Sequence, residues 1–123
     1  MRDYRKFYID GQWVDPAQPQ TLDVVNPATE GVAGVISLGS RADVDRAVAA
    51  AQRAFASFSQ TTREERVALL ERIVAVYQSR LGDMARAISE EMGAPLATIA
   101  TPMQAPAGLG HFMVALGILK DFE

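Results

Sequence analysis

Cysteine is absent from the 123 residues of this chain. Disulfides, thiolate metal sites and thiol nucleophiles are therefore excluded within it, and the composition is compatible with a reducing compartment. There is one histidine, His111, so any metal site or catalytic pair that needs two histidines is excluded as well. We expect a cytoplasmic location and predict no catalytic residue within this chain.

Long apolar runs and clusters of basic residues are also missing. No segment approaches the roughly twenty apolar residues of a membrane-spanning helix, and the charged start MRDYRKFYIDG lacks the apolar stretch of a secretory signal. Twelve Lys and Arg residues against fifteen Asp and Glu give a net charge of -3. Nucleic acids are bound by clustered cations, so neither a nucleic acid nor a membrane is predicted as a partner.

Short strands are predicted between about residues 7 and 38. Asp10-Gly11 suits the positive backbone angles of a two-residue hairpin turn between FYI and QWV. Pro27 ends the next strand, TLDVV, because it forces Asn26 into an extended conformation and cannot continue a ladder. The following strand, GVAGVISL, carries two glycines that indicate a bulge or a close backbone approach. We expect these strands to form one small antiparallel sheet.

Three helices are predicted to follow, over about residues 41–58, 62–92 and 103–122. Ser40 is suited to cap the first, with Asp43 at the third helical position. Thr61 or Thr62 caps the second, which continues through a weak point at Gly82 until the glycine of MGAP ends it. The third begins near Met103. Its proline, Pro106, fits only a first helical turn.

The segment GLGHFM, residues 108–113, begins like a dinucleotide-binding fingerprint. Methionine stands in place of the third glycine, and prolines rather than a strand precede the segment. The better interpretation is a stretch of small residues that allows close helix packing. Likewise, Glu90 and Glu91 are adjacent, so they point about 100° apart on a helix and do not form an acid–base pair.

The apolar positions of the long second helix have two interpretations. Val67, Leu70, Val74, Tyr77, Leu81, Met84 and Ile88 alternate spacings of three and four residues. This spacing is typical of a coiled-coil seam, which would make the chain a stand-alone helical interaction or oligomerisation module. Additional apolar residues at Leu69, Ile73 and Val76 widen the face and favour packing on a globular core.

The order of these elements resembles the N-terminal region of the aldehyde dehydrogenase superfamily. The resemblance covers the chain in sequence, through FYIDGQWV, VVNPATEGVAGVISLG, SRADVDRAVAAAQRAF and the long segment from TTREER to EEMGAP. It implies an α/β fold, mainly α in this segment, in which small antiparallel strands and three helices belong to a nucleotide-binding domain. Residues 1–123 are then the N-terminal portion of that cofactor-binding domain, with the catalytic domain absent.

The resemblance also implies a function for the parent enzyme, the oxidation of aldehydes to acids with NAD or NADP. In this family the catalytic cysteine, the general-base glutamate and the residues that bind the cofactor come later in the sequence. No cofactor-binding residue can therefore be assigned here, and we expect the chain alone to be inactive and to bind no cofactor. Its apolar helix faces predict self-association, as a homodimer or higher oligomer.

A single site is carried over from the family. Some members bind a structural monovalent cation with a backbone carbonyl just before the Asn-Pro pair and an acidic side chain near the glycine that ends the long helix. Val25 and Glu91 occupy those positions in this sequence. The resemblance therefore implies a cation site that includes these two residues.

Overall fold

The structure is a computed structural model that describes residues 2–122. Contacts between residues divide the chain into two compact units, and the boundary in the sequence falls between Gln60 and Thr61. The first unit contains the strands and one helix. The second unit is helical.

Two separate sheets form in the first unit, where one antiparallel sheet was predicted. The strands are β1 (Arg2–Tyr4), β2 (Phe7–Ile9), β3 (Gln12–Val14), β4 (Thr21–Val25) and β5 (Val32–Ser37). Strands β2 and β3 form the predicted hairpin, with positive φ at Asp10 (56°) and Gly11 (76°). The three-stranded sheet has the order β1-β5-β4.

Strand β1 was not predicted, and it runs parallel to β5. The sequence Arg-Asp-Tyr has no apolar alternation, so only the pairing with a strand far along the chain defines it. Gly34 makes this pairing possible, because a Cβ at that position would lie 3.0 Å from the carbonyl oxygen of Arg2. The predicted close backbone approach at a glycine of β5 is therefore confirmed at Gly34, while the wholly antiparallel arrangement was wrong.

Helix α1 (Arg41–Phe58) has the predicted bounds and the predicted cap. Ser40 accepts a hydrogen bond from the backbone N–H of Asp43, whose carboxylate in turn accepts one from the backbone N–H of Ser40. This reciprocal arrangement satisfies two of the backbone donors that a helix start leaves unpaired. Apolar side chains of this helix are exposed, among them Val44 at 57% and Phe55 at 68%.

The long helix predicted over 62–92 is two helices, α2 (Arg63–Ser79) and α3 (Leu81–Met92). Thr62 and Glu65 form the predicted capping box, and Gly93 ends α3 with the left-handed φ of 74° that favours glycine. The break lies at Arg80, whose φ of -110° and ψ of 16° leave the helical region. The weak point at Gly82 was therefore placed two residues too late, since that glycine is inside α3.

The third predicted helix begins later than predicted. A π-helical segment, Leu96–Gln104, precedes α4 (Ala105–Asp121), so α4 begins two residues after the predicted start at Met103. The N–H of Ala105 bonds to the carbonyl of Ala100, five residues back, as the wider π-helical turn requires. Pro106 lies in the first turn of α4, as predicted. Because the predicted 62–92 helix is divided into α2 and α3, the described residues contain four α-helices rather than three.

Alanines form the centre of the second unit. Ala85 of α3, Ala100 of the π-helical segment and Ala105 of α4 are fully or almost fully buried, with Leu81 and Ile88 packed around them. Methyl side chains let these helices approach closely. Helix α2 packs on α4, but none of its residues is buried, so the choice between a core helix and a coiled-coil seam stays open. None of the helices among residues 2–122 combines the length and apolarity needed to cross a membrane.

Candidate functional site

Asp43 is a buried carboxylate held by several hydrogen-bond donors. Its Oδ1 accepts from the backbone N–H of Ala17 at 2.9 Å and from Nη2 of Arg46 at 3.3 Å. Its Oδ2 accepts from the backbone N–H and the hydroxyl of Ser40, at 2.9 and 2.7 Å. The Ala17 and Ser40 donors, followed by the charge of Arg46, hold the pKa of Asp43 below its usual range. With these hydrogen bonds the carboxylate caps α1 and holds the loop at Ala17 in place. It is not placed to act as a base.

The predicted cation site has one residue in each unit. Val25 is the last residue of β4, beside an irregularity in the register with β5, and its side chain is half exposed. The turn after it is closed by the N–H of Asn26, which donates to the Gly31 carbonyl at 2.8 Å. Glu91 is exposed in the last turn of α3. The site therefore stays a prediction. Residues 2–122 contain no group of three His, Asp or Glu side chains that could hold a metal.

The segment GLGHFM lies inside α4 and is not a loop. Its helical backbone amides are directed along the helix and cannot surround a pyrophosphate as a glycine-rich turn does. Gly108 has the predicted packing role, because Tyr77 occupies the space beside it. Gly110 does not, since nothing lies within 4 Å of its absent side chain. His111 is exposed on the same helix.

Tyr77 joins α2 to α4 at this point. Its hydroxyl donates to the carbonyl oxygen of Ala105 at 3.1 Å, and its ring lies 5.9 Å from that of Phe112. The hydrogen bond satisfies the polar end of a half-buried aromatic side chain. These contacts stabilise the helical unit, and they provide no group for chemistry.

An open groove of about 760 Å³ lies within the first unit. Its charged groups are already paired with each other, Arg5 with Asp3 at 2.6 Å and Lys6 with Asp15 at 3.8 Å. The Arg5 contact lowers the pKa of Asp3. The remaining lining is Tyr4, Trp13, Pro16, Pro19, Thr21 and Ser37. No acid–base pair or anion-binding arrangement results.

Comparison with known proteins identifies what this framework belongs to. The aldehyde dehydrogenase family model matches residues 13–120. This chain belongs to the aldehyde dehydrogenase family. Over all of its residues it is 54% identical to a 3-succinoylsemialdehyde-pyridine dehydrogenase from a Pseudomonas species and 45% identical to a putative aldehyde dehydrogenase of Staphylococcus aureus. It spans about a quarter of the length of these relatives, 26% in both cases.

Solved aldehyde dehydrogenases have the same fold over this segment. The enzyme of Bartonella henselae superposes on the whole chain with a TM-score of 0.97 at 42% identity, and the chain covers 26% of it. A mutant aldehyde dehydrogenase C of Pseudomonas syringae, complexed with NAD+ and octanal, gives 0.93 at 46% identity, over 97% of this chain and 24% of its own. The chain thus has the fold of the N-terminal region of these enzymes.

Asp43 has a hydrogen-bond partner distant in sequence that could not be predicted from the sequence. The cap of α1 could be predicted because Ser40 and Asp43 are three residues apart. The bond from Ala17 to Asp43 spans 26 residues, and no local pattern signals it. The N–H of Ala17, which follows Pro16 in a loop, has no strand to pair with. Such a backbone donor generally requires a side-chain acceptor.

Proposed function

We propose that this chain is the N-terminal framework of an NAD(P)-dependent aldehyde dehydrogenase subunit that oxidises an aldehyde to the acid. One observation carries the proposal: the whole chain superposes on the Bartonella henselae aldehyde dehydrogenase with a TM-score of 0.97. A segment that folds like this but lacks cysteine supplies structure and not the nucleophile. In this family the catalytic cysteine attacks the aldehyde, and hydride then passes to the nicotinamide.

The proposal that the parent enzyme uses NAD(P) comes from solved structures similar to this chain. The structures from Pseudomonas syringae and Mycobacterium tuberculosis are complexed with NAD+. The described residues of this chain do not themselves fit a dinucleotide. The start of α1 is already capped by Ser40 and Asp43, that of α2 by Thr62 and Glu65, and GLGHFM is helical. We therefore assign the binding of NAD(P) to other residues of the parent enzyme.

Two preparations test this function. The first is the 123-residue chain alone, titrated with NAD+ in a calorimeter and assayed for NADH formation with octanal. We expect neither a saturable isotherm nor activity. The second is the chain expressed in frame with the sequence that follows it in its gene. NADH formation with at least one aldehyde of a panel supports the proposal. A following sequence without a cysteine, in a product that folds but oxidises no aldehyde, contradicts it.

Self-association and location are parts of the same proposal. Apolar side chains on the outer face of α4 are more than half exposed: Met113, Val114 and Ile118. Leaving such a face in water costs free energy in proportion to its apolar area. This exposure supports a homo-oligomer, with a dimer as the simplest closed form.

A cytoplasmic location is proposed from the absence of cysteine, and cell fractionation of the parent enzyme tests it.

The cation site at Val25 and Glu91 is proposed by family analogy. Replacing Glu91 with glutamine is expected to remove any stabilisation by potassium or sodium ions, because the carboxylate supplies the charged ligand. Melting temperatures of the parent enzyme in KCl, NaCl and choline chloride measure the effect. The matched control is Glu90→Gln, which removes a neighbouring carboxylate from the same helix. The site would be contradicted if the melting temperatures of the parent enzyme, Glu91→Gln and Glu90→Gln depended equally on the ion.

A further inference from the structure

The Asp10-Gly11 turn of the β2–β3 hairpin combines two properties that matter for backbone chemistry. Asp10 is followed by glycine, and no other aspartate in the sequence is. Asn26, the one asparagine, precedes Pro27, which has no N–H. Attack of a backbone nitrogen on the preceding aspartate is least hindered when the following residue has no side chain. The chain therefore has a single position at which this cyclisation is chemically easy.

The local structure leaves that position open. The Asp10 side chain is 65% exposed, and nothing lies within 4 Å of the point where a side chain at Gly11 would be. Each strand of the hairpin has three residues, so few hydrogen bonds have to break for the turn to open. By contrast, Asp43 is buried and bonded on both oxygens. Opening the backbone around Asp10 therefore costs less free energy than opening it around Asp43.

Within residues 2–122, one tertiary contact restrains the Asp10 carboxylate. Nη2 of Arg53, in α1, donates to Oδ2 of Asp10 at 2.9 Å. Both side chains are about two-thirds exposed, so this ion pair is weak and sensitive to salt. Ring closure rotates the carboxyl carbon and the following peptide toward each other. The turn and the ion pair must both open first.

We propose that Asp10 is a site of spontaneous isoaspartate formation, and that Arg53 sets its rate. The backbone nitrogen of Gly11 attacks Cγ of Asp10, forming an N–Cγ bond. One carboxyl oxygen leaves as water together with the amide proton and a second proton from solvent. Water then opens the succinimide. Attack at Cγ restores aspartate, and attack at the backbone carbonyl carbon gives isoaspartate. One water leaves, one enters, and no oxidant is involved.

The product cannot keep the present turn. Isoaspartate places Cβ in the main chain, so the loop between Ile9 and Gln12 gains an atom. A two-residue turn sets the register of its hairpin, and the pairing of Ile9 with Gln12 depends on it. The side chain becomes a carboxylate on Cα, one bond nearer the backbone and displaced from Arg53. The modification therefore removes the ion pair that links the hairpin turn to α1.

The test follows isoaspartate in the full chain during incubation at neutral pH. Isoaspartyl methyltransferase labels the product, and digestion with a protease that cuts before aspartate but not isoaspartate locates it. The peptide that contains Asp23, in β4, is the reference in the same sample. We expect isoaspartate at Asp10 and not at Asp23. Equal levels at the two positions would overturn the site.

Two perturbations test the role of Arg53. The change Arg53→Ala is expected to raise the rate at Asp10 by about two- to fivefold, the range for loss of an exposed ion pair. Arg41→Ala is the matched control, because it removes another exposed ion pair of the same helix, with Asp45. High salt should accelerate the unmutated protein similarly, with no change of sequence. A rate unchanged by both Arg53→Ala and salt would refute this protective contact.

Discussion

Tyr77 fills the space that a side chain at Gly108 would occupy. A Cβ built on Gly108 would come within 3.0 Å of Cζ of Tyr77, and closer still to its hydroxyl oxygen. That hydroxyl donates to the carbonyl of Ala105, one turn earlier in α4. Glycine is thus required at residue 108 by the close contact of α2 with α4, and not by an unusual backbone angle.

Replacing Gly108 with alanine is expected to destabilise the chain by about 1–3 kcal/mol, because the added methyl group forces Tyr77 out of its position. Urea denaturation followed by circular dichroism measures the loss. The additional change Tyr77→Phe removes the atom nearest to the new methyl group, so the double variant should lose less than the sum of the single losses.

The matched control for that substitution is Gly110→Ala in the same helix. Nothing lies within 4 Å of the position of its Cβ, so alanine there costs no contact. Because alanine has the higher helix propensity, a gain of up to about 1 kcal/mol is expected. A loss at both positions of similar size would show that the contact with Tyr77 is not what makes Gly108 necessary.

The low pKa of Asp43 makes stability depend on pH on the acid side. A carboxyl group whose folded pKa lies below its unfolded pKa stabilises the fold fully above the unfolded value, about 3.9 for aspartate. That contribution is lost as the pH falls through the folded pKa. The variant Asp43→Asn should therefore be less stable than the parent at pH 6, and the difference should shrink toward pH 3.

Urea midpoints measured across that pH range test the Asp43 prediction. Asp45→Asn is the control, since it removes from the same helix an exposed carboxylate whose ion pair with Arg41 is also exposed. Its difference from the parent protein should be small at every pH. A pH-independent difference for Asp43→Asn would mean that the carboxylate charge is not what holds the loop at Ala17.

The alanine core of the second unit should reject larger side chains. Ala100 has no exposed surface, so Ala100→Leu is expected to cost about 1–3 kcal/mol or more through overpacking against Ala85 and Ala105. Ala97→Leu, at an exposed position of the same π-helical segment, is the matched control and should change the free energy of unfolding by less than about 0.5 kcal/mol. Equal effects would contradict the close packing.

The 123-residue chain alone is expected to self-associate through the outer face of α4. Replacing Val114 and Ile118 together with lysine should lower its apparent mass in sedimentation and its binding of a hydrophobic dye, because both side chains are more than 60% exposed. The corresponding change of Phe55 and Phe58 in α1 is the comparison. If only the α1 variant dissociates, the interface lies on α1. A monomer before any substitution refutes the prediction.

Local chemistry determined which parts of the fold could be predicted. The hairpin turn at Asp10, the cap at Ser40 and the stop at Gly93 each depend on residues within a few positions of one another. Their backbone preferences follow from the side chain itself. The family, too, was predictable, because the order and spacing of several such signals match it.

Features that depend on distant or competing contacts could not be predicted in the same way. The break at Arg80 interrupts a segment of good helix formers, and the π-helical segment has no local signal beyond Pro102. Strand β1 exists through its pairing with β5. The cation site at Val25 and Glu91 remains a prediction, since its two residues belong to different units of the chain.

The parallel pairing of β1 with β5 determines an order of events during synthesis. Residues 2–4 leave the ribosome before their partners, residues 34–36, which emerge only after the hairpin and β4. The hairpin closes a short loop and can form as soon as it is made, whereas β1 must wait. Until then its backbone donors and acceptors have no strand to pair with. Of the strands in the first unit, β1 therefore waits longest for its partner during synthesis.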